Sequence, residues 1–121
     1  MGDSGRSTAE LLAHIELWSG RIARYLTGIS RDEFTSDEMR QVAIAKCIEV
    51  IGEAAGNILK RDKDFATSHP ELPLVEAYRM RNRLSHGYDT VDWEILWDTA
   101  TNSVPALVSQ IRLIQARSGD D

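Results

Sequence analysis

Apolar residues recur every three or four positions through most of the chain, a helical rhythm without a convincing strand. Leu11, Ile15, Trp18, Ile22, Tyr25 and Ile29 trace one stripe, with Ser7 and Glu10 at capping-box spacing ahead of it. Gly28 and the segment ISRDEF predict the end of this first helix. Thr35 and Glu38 repeat the capping-box spacing and predict the start of a second.

The second helix has two neighbouring stripes: Ile44, Ile48, Ile51, Ala55 and Ile58 beside Ala43, Cys47, Val50 and Ala54. So wide an apolar surface predicts a central helix touching partners on two sides. Gly52 and Gly56 would let one of them come close. Read as a phosphate loop, GEAAG fits poorly, because its glycines fall inside a helical pattern. RDKDFATSHPELP reads as a loop, with Pro70 and Pro73 barring a continuing helix.

A third helix is predicted from Pro73 or Leu74 to about Ser85, with Ala77, Met80 and Leu84 inward and Gly87 ending it at positive φ. Asp92 can cap a fourth, with Glu94 in its first turn. Its stripe is Trp93, Trp97, Ala100, Val104, Leu107, Ile111 and Ile114, and Pro105 predicts a bend. The pattern describes an all-α, antiparallel helical bundle of four main helices with room for a short fifth. One domain over 1–121 is expected, with about 1–7 and 116–121 frayed.

Charge narrows the function. With 14 basic and 19 acidic residues the net charge is −5, which argues against coating nucleic acid through bulk electrostatics but leaves room for a local basic site. The single cysteine, Cys47, lies in the apolar pattern and reads as a buried thiol. The polar start MGDSGRSTAE lacks the apolar core of a signal peptide, and no run is long enough to span a membrane. A soluble, cytoplasmic protein is the expectation. His14, His69 and His86 lack ligand-type spacing, so neither metal nor cofactor is expected.

The exception to the acidic balance is Ala77–Tyr88, which holds Arg79, Arg81, Arg83 and His86 and no acid. One reading is a solvated helix face with cations near its C-terminus, where the helix dipole favours them. The other is chemical. Histidine exchanges protons near neutral pH, and arginine can hold a phosphate through two parallel hydrogen bonds. Together they could cleave RNA without metal, the ribose 2′-OH attacking while His86 moves a proton and Arg81 stabilises the phosphoryl oxygens.

Helical geometry complicates that pairing. Arg79, Asn82, Arg83 and His86 fall roughly on one face, whereas Arg81 stands about 140° from His86. Convergence would need the helix to unwind at Ser85–Gly87, or a second subunit.

Arg81-Asn82-Arg83-Leu84-Ser85-His86-Gly87-Tyr88 resembles the R-x4-H-x-Y motif of the HEPN superfamily, specifically its HepT-like toxins. IGEAAGNI, HPELP and VDWEILWDTATNSVPALVSQI resemble the flanking blocks in order and spacing, covering roughly Ala9 to Ile114. Leu74 departs from the tryptophan expected after the proline, a packing difference. The resemblance implies a homodimeric, metal-independent endoribonuclease, the toxin of a type VII-like pair with an MNT-type nucleotidyltransferase antitoxin. It implies Arg81 and His86 as the catalytic pair and Asn82 in support; Arg79, Asn82 and Arg83 are the expected substrate-binding residues. It also implies Tyr88 as the tyrosine to which the partner transfers AMP. The alternative is a noncatalytic substrate- or nucleotide-binding subunit of a minimal nucleotidyltransferase.

Overall fold

In the computed structural model, Ser7 and Glu10 cap each other's backbone as their spacing predicts, and helix α1 runs Thr8–Tyr25. The structure describes residues 6–87 and 91–119, without the side chains of 118 and 119. Of the ends expected to fray, 1–5 and 120–121 lie outside the described residues. Leu11, Ile15 and Ile22 of the predicted stripe are buried, and Gly28 turns the chain at φ 74°.

The next start differs from expectation. Ser30 and Glu33 form the capping box of a short helix, α2 (Arg31–Thr35), and Thr35 closes it by donating to the Asp32 carbonyl at 2.9 Å. With the Thr35 hydroxyl so engaged, Asp37 caps the long helix α3 (Glu38–Arg61), its carboxylate accepting from Arg40 N–H at 3.1 Å. Buried Gln41 ties the two helices together by donating to the Phe34 carbonyl at 3.0 Å.

α3 is the central helix. It packs on α1 along one side and on α5 (Leu74–Ser85) along the other. Its predicted stripe, Ile44 to Ile58, is buried throughout. Cys47 is buried too, and that burial pushes its thiol pKa up despite Arg21 nearby.

The segment expected to be a loop contains a further helix, α4 (Lys63–Ser68). Asp62 explains it: its carboxylate accepts both the Phe65 N–H that starts the helix and the Thr8 hydroxyl from α1. Phe65 and Ala66 then pack against the core, and the prolines act only beyond the helix end.

The fourth long element is divided in two. α6 (Trp93–Asp98), capped by Asp92 as predicted, leads into a π-helical turn at Thr99–Ser103, and α7 follows over Val104–Gly119. This wide turn lies immediately before Pro105, where a bend is predicted. Proline has no N–H to offer the preceding turn, and widening the register relieves its crowding. Thr99 and Thr101 donate their hydroxyls to the Ile95 and Trp97 carbonyls, both at 2.8 Å. Every described element is helical, so the architecture is an all-α bundle of four main helices with two short ones.

Candidate active site at the end of α5

α5 is held against α3 by the two glycines. A Cβ on Gly52 would stand 2.5 Å from the Ala77 carbonyl oxygen, and one on Gly56 would stand 2.6 Å from Cε1 of the Tyr78 ring. These helices therefore approach backbone to backbone, which fixes how far α5 side chains stand from α3. Met80 and Leu84 face the core, with Ala77 partly buried against it.

At its far end α5 closes with His86 as the capping residue, its N–H bonded to the Arg83 and Leu84 carbonyls. Gly87 adopts φ 129°, a conformation that L side chains rarely take. The prediction that Gly87 terminates this helix holds.

The polar residues of α5 sort onto two sides. Toward α3 stand Tyr78, Arg81 and Ser85. Arg81 lies beside Glu53, Nη2 to Oε2 at 3.8 Å, and Ser85 donates to Glu49 Oε2 at 3.1 Å. The Arg81 Nε is buried without a hydrogen-bond partner among the described residues. Toward α6 and α7 stand Arg79, Arg83 and His86. A groove of about 570 Å³ between α3, α5 and the α6–α7 arm is lined by Ile48, Met80 and Leu107, with Arg79 and Arg83. A recess of about 310 Å³ shares Met80, Arg83 and Ile95 with it and adds exposed His86, Val91 and Asp92.

Arg81 and His86 are thus not on one face, as helical spacing predicts. Arg81 Nη1 donates to Asn82 Oδ1 at 3.1 Å, so Asn82 ties the guanidinium to a position four residues before His86. His86 keeps right-handed helical angles, φ −80° and ψ −8°, so Asn82 and His86 are neighbours at i and i+4. Tyr88 lies outside the described residues.

Sequence reasoning missed three members of this neighbourhood: Glu53, Lys60 and Tyr78. The Cδ1–Cε1 side of the Tyr78 ring lies against Gly56, with the Lys60 ammonium 5.0 Å from its ring centroid. A hydrogen bond from Lys60 and that ammonium's charge hold the phenol below the usual tyrosine pKa, aided by the charge of Arg81 and a hydrogen bond with Asn82. The available signal was the i, i+4 pair Tyr78–Asn82 opposite two helical glycines. Among the described residues no group of three or more His, Cys, Asp or Glu side chains could hold a metal ion. Nor is any helix among them long and apolar enough to cross a membrane.

The family described as Ribonuclease HepT-like matches residues 15–114. Relatives include a protein of Thermococcus cleftensis named "Probable ribonuclease HepT", 38% identical over 71% of this chain and 76% of its own. A Methanocaldococcus jannaschii protein, provisionally named as an RNase, is 34% identical over 83% of this chain and 81% of its own. Another provisionally named RNase, from Caldanaerobacter subterraneus, is 34% identical over 72% and 75%. No solved structure gives a significant match.

Proposed function

Because this chain belongs to the HepT-like ribonuclease family, we propose that it is a metal-independent endoribonuclease acting in the cytoplasm as the toxin of a type VII-like toxin–antitoxin pair. The observation that supports this reading is the Arg81–Asn82 hydrogen bond, which links the guanidinium to the residue about one turn before His86. An imidazole and a guanidinium supply what the reaction needs. The ribose 2′-oxygen forms a bond to phosphorus as the bond from phosphorus to the 5′-oxygen breaks, leaving a cyclic phosphate and a free 5′-hydroxyl.

His86 takes the 2′-OH proton, and Arg81 neutralises charge gathering on the non-bridging oxygens. The departing 5′-oxygen needs a proton from an acid. A second copy of the chain would bring a second His86 to that role. The apolar groove beside the recess offers a face for such a homodimer, with Arg79 and Arg83 at hand to draw the RNA backbone in. Asn82 acts by orienting Arg81.

An MNT-type nucleotidyltransferase is the proposed antitoxin, transferring AMP to Tyr88. An adenylate two residues beyond His86 would place negative charge where the RNA phosphate binds and engage the arginines meant for substrate.

The purified chain, in EDTA and without its partner, should cleave RNA, and His86→Ala should abolish cleavage with the helical fold intact. Cleavage undiminished in that variant would refute the assignment. A wild-type chain inert toward RNA, but bound by the nucleotidyltransferase through Arg81, would favour the noncatalytic-subunit reading.

A further inference from the structure

Two cations from different helices converge on the Tyr78 phenol at the open edge between α3 and α5. Lys60 comes from the last turn of α3, its ammonium 5.0 Å from the ring centroid. Arg81 comes from α5, one helical step beyond Tyr78, and its charge acts on the same phenol. One side of the ring lies against Gly56, where no Cβ could fit, so the phenol is packed on α3 beside Lys60.

Apart from its hydrogen bond to Asn82 Oδ1, the guanidinium is only loosely matched by protein charge. Glu53 approaches it at 3.8 Å and is itself half exposed, while the buried Arg81 Nε is unpartnered among the described residues. Lys60 is exposed. Such an edge, with two cations side by side and open to solvent, suits a chain of phosphates passing along it better than one enclosed anion.

We propose that Lys60 and Tyr78 form a second backbone-phosphate subsite beside Arg81, holding the phosphodiester next to the one that is cleaved. This rests on the ribonuclease reading above and extends it, since it gives the substrate strand a direction: across the end of α5, then along the α3–α5 edge. Lys60 supplies the charge and Tyr78 the hydroxyl contact. The exposed Glu53 carboxylate competes with phosphate for Arg81, and Glu49 on the same helix is engaged by Ser85.

The test uses the full chain carrying His86→Ala, so that RNA is bound and not consumed. Binding of a fluorescein-labelled single-stranded RNA is followed by anisotropy across a potassium chloride series. Adding Lys60→Met should weaken binding roughly tenfold at low salt. It should also lower the slope of log affinity against log salt by about 0.7, the value for one lost phosphate contact on a single strand. Lys60→Arg should restore the slope, and Lys60→Gln should repeat the loss if the methionine variant folds poorly. Glu53→Gln should tighten binding.

In the catalytically intact chain, Lys60→Met should raise KM and leave kcat close to wild type. An unchanged slope and affinity in both Lys60→Met and Lys60→Gln would overturn the subsite while leaving the ribonuclease reading in place. Failure of the His86→Ala parent itself to bind RNA would overturn both.

Discussion

Replacing Gly52 with alanine would set a Cβ 2.5 Å from the Ala77 carbonyl oxygen and directly against the Cβ of Arg81. Ordinary contact begins at 3.4 Å and the Arg81 Cβ would stand closer still than the carbonyl oxygen, so α5 would have to back away by about 1.0 Å. Neither obstacle is the free end of a side chain, so the strain cannot be relieved by a rotamer change. Overpacking of this kind costs about 1–3 kcal/mol, and the upper end applies where backbone is the obstacle. Alanine returns about 1 kcal/mol of helix propensity. The net expectation is a loss of about 2 kcal/mol, or a melting temperature lower by about 8 °C.

The same displacement moves Arg81, and misplacement by about 1 Å at a reacting centre can cost on the order of a hundredfold in rate. Urea denaturation gives the first quantity and RNA cleavage in EDTA gives the second. Gly20→Ala is the control: Gly20 is helical and exposed, with nothing within 4 Å of its Cβ position, and should gain up to about 1 kcal/mol. A Gly52→Ala chain as stable and as active as wild type would refute the close approach and the placement of Arg81 built on it.

Other outcomes follow from the same geometry. Asp62, Asp37, Glu10 and Glu33 all have depressed carboxyl pKa values, Asp62 chiefly through the Thr8 hydroxyl, Asp37 through Arg40, and the glutamates through backbone bonds to Ser7 and Ser30. Groups with depressed folded-state pKa stabilise above their unfolded values, about 3.9 and 4.3, and lose that contribution as pH falls through the folded ones. Denaturation midpoints should therefore fall below about pH 4, and Asp62→Asn should flatten that fall. Tyrosinate absorbance should reveal one phenol ionising below the usual value near 10, absent in Tyr78→Phe and shifted upward in Lys60→Met. Asn82→Ala should lower kcat more than it raises KM, since Asn82 is proposed to orient Arg81; equal effects in the opposite sense would remove it from that role.

Much of α5 and its surroundings was legible from the sequence. Pro73 and Gly87 bracket the helix, and the glycines at 52 and 56 announced the close approach that the structure shows. The two short helices were not legible, because five or six residues leave no room for a periodic pattern and only their caps signal them. Thr35 has the capping-box spacing to Glu38, but Asp37 starts α3, because the Thr35 hydroxyl is already engaged by the Asp32 carbonyl. Lys60 and Tyr78 escaped notice for another reason: eighteen positions separate them along the chain, and only the packing of α5 on Gly56 brings them together. Sequence spacing correctly set Arg81 and His86 on different faces but could not show the sideways reach to Asn82.

The wide turn at Thr99–Ser103 has a consequence for how this chain can change length. Leu96, Ala100 and Val104 are buried at spacings of four, and Leu107, Ile111 and Ile114 continue inward after them. On an uninterrupted helix each residue advances the face by about 100°. A π-helical turn takes up about one residue more than an α-helical turn for the same advance. Deleting one residue from it would restore a regular helix and keep Leu107 and Ile111 toward the core, whereas a deletion farther along α7 would roll Ile111 and Ile114 out toward water. Because Ala100 is itself buried, this arm tolerates a change in number at 99–103 better than a change in size at 100.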